Sequence, residues 1–155
     1  MDVGRTGVRG AKIFNVMADV RTYDLHIVIR PADDVPGQWV AHCLEFDVVT
    51  QGDNLAHAWS MIQEALAIVV VGEIRNGLDP ARRAAPQEFW DELWTKLMPR
   101  TVNLPLEAVL KRGDAVAYAV VLGRMTVEVP ADKGPPAPTF RAPLAAAPVA
   151  ECFVA

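Results

Sequence analysis

The chain has 155 residues, 52% of them hydrophobic and 22% charged, so one domain with a sizeable core fits and global disorder is excluded. A net charge of −4 and a pI near 5.3 leave no phosphate-neutralising surface, which counts against nucleic acid and is compatible with a basic protein partner. Two cysteines, Cys43 and Cys152, make neither a disulfide framework nor a metal-ligand spacing, and no uncharged apolar run is long enough for a membrane span or a secretory signal. The expected setting is the cytoplasm, away from membranes.

Residues 1–20 mix Gly, Arg and small side chains without a period and read as a loose leader. In "YDLHIVIR" (23–30) Tyr23, Leu25, Ile27 and Ile29 alternate with Asp24, His26 and Arg30, the period of a half-buried strand. "PADDVPG" is hairpin-loop composition, and "QWVAHCL" and "FDVVTQ" follow as two more strands, giving an antiparallel meander. At "TQGDN" the chain leaves the sheet. Gly52 supplies backbone freedom, with positive φ as one way of using it, and Asp53 or Asn54, with Asn54 favoured, caps a helix. Leu55, Ala58, Trp59, Ile62, Ala65, Leu66 and Val69 form the helix stripe, and Gly77 fits its C′ position. From Ala65 to Val71 the helix is apolar all round, with Ile68, Val69, Val70 and Val71 in succession. One sheet cannot cover such a segment, so a second layer is required, from the C-terminal half or from another subunit.

"APQEFWDELWTKLM" places Pro86 at a first helical position, with Phe89, Trp90, Leu93, Trp94 and Leu97 on one stripe. Trp90 and Trp94 are candidates for packing within the chain or for an interface. "AVAYAVVLGRMTVEV" reads as one or two strands bent or turned at Gly123. Residues 130–155 hold half of the twelve prolines and many alanines, the composition of an extended tail, although "ECFVA" is apolar enough to dock on a surface. The organisation is therefore a leader (1–20), one α+β domain (21–129) and a tail (130–155).

Strand, Pro/Gly loop, "WVAHCLEF" and the "VVTQGDN" turn (48–54), running into a helix with Ala58 two turns in, resemble the HicB antitoxin superfamily over about residues 22–75. The resemblance implies a β-β-β-α-β unit with a partial RNase H-like fold. It also implies binding and neutralising a small basic HicA-like RNase toxin. His57 stands where that family often has glutamate. Many members add a DNA-binding ribbon-helix-helix or helix-turn-helix, and no such motif follows residue 76, so a DNA-binding role is doubtful here.

Catalytic chemistry has little footing. Asp24, Asp47 and Glu64 are carboxylates that a two-metal nuclease could draft, and they carry no clustered motif. There is no nucleophile triad, phosphate-binding glycine loop or CxxC, and no cofactor is expected. Pairing Arg30 with Gln38 across the hairpin puts His26 opposite His42, within reach of a shared metal, against the plainer reading of two surface or interface histidines. The reading is a non-enzymatic, homo-oligomeric (dimer by default) protein-binding module of antitoxin type. Its interface candidates are Ile68, Val69, Val70, Val71, Trp90 and Trp94. The alternative is an orphan HicB-like oligomeric scaffold or small-ligand regulator with no toxin.

Overall fold

A computed structural model describes residues 19–112, 115–129, 137–141 and 151–155. The chain is α+β, built on one antiparallel sheet. Strand β1 (Asp19–Pro31), β2 (Trp39–Cys43) and β3 (Val48–Gly52) form the expected meander and lead into helix α1 (Leu55–Arg75). A 3-10 turn (Pro80–Arg83) and helix α2 (Gln87–Glu92) follow. The latter continues through a π turn (Leu93–Leu97) and a 3-10 turn (Met98–Arg100). Then come β4 (Val102–Leu104), α3 (Leu106–Arg112), β5 (Ala119–Val129), β6 (Ala137–Arg141) and β7 (Glu151–Val154). The strand order is β3-β2-β1-β5-β7-β4, with β6 on β5 beyond the end of β7.

Alternation along β1 decides which face each layer covers. Leu25, Ile27 and Ile29 point to one side and pack with Ala41, Cys43, Val121 and Met125 under the α1 stripe of Leu55, Ala58, Trp59, Ile62, Leu66, Val70 and Ile74. Burying Ile62 and Leu66 there stabilises by about 1.5–3 kcal/mol each. Leu106 and Val109 of α3 join the same core. The opposite face carries a second, smaller core of Val28, Leu44, Ala85, Leu93 and Val120, roofed by Phe89, Trp90, Leu97 and Met98. Helices thus lie on both faces of the sheet.

Several boundaries differ from the sequence reading. Strand β1 begins at Asp19, so residues 19–20 belong to the sheet, and residues 1–18 lie outside the described residues. β5 runs unbroken through Gly123, pairing with β1 from Asp19↔Val129 to Ile29↔Ala119. The eleven-residue pairing with β1 carries the strand across the glycine without a break, so the segment is one strand and makes no turn there. Pro86 is the N-cap of α2 and not its first residue. Within the tail two pieces are sheet strands, and the remainder lies outside the described residues. β6 pairs with Thr126 and Glu128, and β7 fills the space between β5 and β4, with Cys152 and Val154 buried. The apolar "ECFVA" therefore docks on its own chain, and the fold does not end at residue 129.

Helix α1 is long and apolar enough to cross a membrane by length and composition alone. Its buried stripe is packed on the sheet, and Glu64 lies on its exposed side.

Candidate functional site

The corner at residues 52–57 is built for geometry. Gly52 does not have a positive φ; among the described residues the left-handed glycines are Gly37 and Gly77. What Gly52 needs is closeness. A Cβ there would stand 2.3 Å from the Ala58 nitrogen and 2.8 Å from the His57 carbonyl carbon. Asn54 is the N-cap, its Oδ1 accepting the His57 N–H at 2.8 Å. His57 Nδ1 in turn accepts the Asp53 N–H at 3.0 Å, the acceptor role a carboxylate often takes in the first turn of a helix. At the other end Leu78 N–H bonds the Glu73 carbonyl and Gly77 N–H bonds Ile74, a Schellman closure with Gly77 at φ 71. Gly52, Asp53 and Asn54 are thus committed to the strand-to-helix junction.

His26 and His42 share the face under α2 but do not share a partner. The observed register sets Val28 opposite His42 and Arg30 opposite Val40, so the two histidines are diagonal and not directly across. Each imidazole has its own carboxylate. His26 Nδ1 lies 2.6 Å from Glu45 Oε2, while the His26 backbone N–H donates to Glu45 Oε1 at 2.7 Å. His42 Nε2 lies 2.8 Å from Asp47 Oδ1. The rings also meet aromatic edges: His26 sits 5.4 Å from both Trp90 and Trp94, and His42 sits 4.9 Å from Phe89. The Arg30–Gln38 pairing that would have set His26 directly opposite His42 is corrected by this register. Among the described residues no three or more His, Cys, Asp or Glu side chains converge as a metal would require. The pair instead seats the aromatic stripe of α2, helped by the Arg30–Glu92 ion pair and a 2.5 Å bond from the Tyr118 hydroxyl to the Leu97 carbonyl. Glu45 and Asp47 were the missed partners. Their signal was position, since both lie in the short β2–β3 turn, where Asp47 takes the left-handed φ of 51 that Asp tolerates.

The carboxylates considered for catalysis are apart. Asp24 pairs with Arg124 at the surface, Asp47 holds His42, and Glu64 is exposed on α1. Both cysteines are buried and free. They stand at the ends of a row, Cys43–Ile27–Val121–Cys152, across four strands. That separates them by about 14 Å, too far for a disulfide. Burial pushes both thiols up, Cys152 to about 12, while for Cys43 the Glu45 carboxylate adds to the effect of burial.

Among the described residues, α1 and β3 each leave apolar surface uncovered. On α1, Ile68 is 68% exposed, whereas Val70 is fully buried between Leu66 and Ile74. A helix turns about 100° per residue, so consecutive members of an apolar run cannot share a role. Val70 is core rather than interface, Val71 is largely buried, and Val69 is half-buried. Trp90 is half-buried against His26, and Trp94 shows half its surface. The second surface is β3, the last strand on its side of the sheet, with Val49 54% exposed beside Asp47. A concave surface runs from Val49 and Asp47 across Val40 and His42 to Pro86 and Phe89. Set against known proteins, the chain matches no family model, no curated protein and no solved structure.

Proposed function

We propose that the chain is a protein-binding module of the HicB antitoxin type, which captures and neutralises a small basic toxin through the β3 edge. The observation that carries this reading is the edge itself. Outer strands are ordinarily blunted by lysine, proline, bulges or a covering element. β3 reads "VVTQG", has no charge, and pairs regularly with β2 from Trp39↔Gly52 to Cys43↔Val48. Among the described residues no strand pairs with its outer side, which offers main-chain donors and acceptors to an added strand, with Val49 as the apolar anchor. Asp47 and Asp53, immediately before and after it in sequence, are exposed carboxylates, complementary to a basic partner. The "VVTQGDN" corner joining this edge to α1 is the part that resembles the HicB pattern.

Growth rescue tests the proposal. The basic product of a short neighbouring frame arrests a bacterial host when expressed alone, and co-expression of this chain restores growth. Val49→Lys, which places a charge on the edge without touching the core, removes the rescue while leaving the fold intact. A toxin that the chain fails to relieve, or relief that Val49→Lys leaves unchanged, overturns the assignment of the edge. Absence of any toxicity favours the toxin-free scaffold instead.

A further inference from the structure

The outward side of α1 has a period of its own. Met61, Glu64, Ile68, Val71 and Arg75 follow one another at steps of three and four residues, the spacing of a helix-pairing seam, on the side turned away from the sheet. Ile68 is its exposed apolar centre, and Val71, though mostly covered, lines the same shallow groove with Ala67, Gly72 and Arg75. The flanks are small, and a Cβ added at Gly72 would meet nothing within 4 Å. A glycine inside a helix costs about 0.5–1 kcal/mol relative to alanine, and nothing among the described residues uses the room it leaves. Neither Glu64 nor Arg75 has an ion-pair partner among the described residues.

We infer that a second copy of the chain occupies this seam, with the two α1 helices antiparallel about a two-fold axis passing between Val69 and Val70. The charges select that arrangement. Parallel, in-register helices would set Glu64 on Glu64 and Arg75 on Arg75. Antiparallel pairing about this axis brings Glu64 level with Arg75 of the second copy, and Ile68 level with its Val71, each contact occurring twice as an isologous interface requires. From Glu64 to Arg75 the seam is about 16 Å long, some three turns. So short an interface predicts association of roughly micromolar strength rather than an obligate dimer. This inference goes beyond capture at the β3 edge and does not depend on it. Growth rescue reads the edge, and the monomer–dimer equilibrium reads the seam.

Sedimentation equilibrium of the full chain is the test. The parent chain dimerises reversibly. Glu64→Arg and Arg75→Glu each weaken the dimer about tenfold, because one substitution turns two attractive pairs into repulsive ones. Mixing those two variants restores association, since a chain carrying arginine at both seam positions then faces one carrying glutamate at both. The double variant E64R/R75E recovers association alone. Ile68→Asp yields a monomer with the parent circular dichroism spectrum. A parent chain that stays monomeric at about 100 μM, far above the dissociation constant expected for this seam, overturns the inference. So does a dimer indifferent to the charge exchanges, or single variants whose mixture associates no better than either alone. The charge variants lie on the surface and decide the matter even if Ile68→Asp fails to fold.

Discussion

Replacing Gly52 by alanine separates two physical accounts of that residue by the sign of the effect. At an ordinary backbone conformation with room for a methyl group, glycine to alanine stabilises by about 0.4–1 kcal/mol, through the unfolded chain. Gly52 has the ordinary conformation but not the room. Its added Cβ would fall 2.3 Å from Ala58 N and 2.7 Å from Ala58 Cα, whereas real Cβ contacts stay beyond 3.0 Å. The opposing atoms are backbone, so no rotamer relieves the clash. Relief moves the first turn of α1 away from β3, loosening the Ala58 N–H bond to the Asn54 carbonyl and the Asn54 cap on His57. Overpacking costs about 1–3 kcal/mol and a lost cap about 1 kcal/mol more, giving a net destabilisation of about 2–4 kcal/mol. For a chain of this size the melting temperature then falls by about 5–15 °C. Urea and thermal denaturation followed by circular dichroism provide the assay. Gly72→Ala, measured in the Ile68→Asp background so that self-association does not contribute, is the control: nothing opposes its Cβ, and it stabilises by about 0.5–1 kcal/mol. An unchanged or raised melting temperature for Gly52→Ala would refute the close-approach account.

Three further outcomes follow from packing and burial. Leu93→Ala, at the centre of the smaller core, costs about 2–5 kcal/mol and shifts the tryptophan emission as Trp90 and Trp94 lose their seat on His26; a loss below about 1 kcal/mol would mean that α2 is not anchored there. Thr50→Val raises stability by about 1 kcal/mol in denaturant titration, because the Thr50 hydroxyl is buried without a hydrogen-bond partner; a clear loss would reveal one. Both thiols ionise later in the folded chain than the ordinary value of 9.0, so the folded state keeps protons that the unfolded chain releases. Stability is therefore fully present below about pH 9 and falls as pH rises above it, and replacing both cysteines by valine flattens that alkaline decline, while an equally steep decline assigns it to other groups.

Short-range features were legible because short-range physics sets them. The alternation of Leu25, Ile27 and Ile29, the Asn54 cap and the Gly77 terminus are each decided within about one turn of chain. The split within "IVVV" was legible too, had the 100° step been applied residue by residue: Val70 falls between Leu66 and Ile74, and Ile68 falls opposite. What the sequence left hidden depends on partners far along the chain. "ECFVA" is a strand because β5 and β4 leave a gap of one strand between them, and nothing near residue 151 signals that gap. Nor does composition separate the alanines and prolines of a tail from those that enter a sheet.

The histidines show most clearly where periodicity stops. A slip of one residue between β1 and β2 would turn a whole strand inside out, and the apolar pattern forbids it. A slip of two leaves every side chain on its own face and costs the pattern nothing. Setting Arg30 against Gln38, or against Val40 as observed, differs by such a step, and that step alone moves His42 from opposite His26 to opposite Val28. The loop makes the choice. Ala32 N–H bonds the Gln38 carbonyl at 2.8 Å, Gln38 N–H bonds Val35, and Gly37 at φ 81 lets the chain turn back in time for Pro31 to meet Trp39. Once that register is fixed, His26 of β1 finds Glu45 in the β2–β3 turn, while His42 holds Asp47 within its own hairpin. A loop variant that moved the register by two would part His26 from Glu45 and unseat Trp90 and Trp94 with it, which is why the hairpin loop, distant in sequence from α2, bears on the surface α2 lies on.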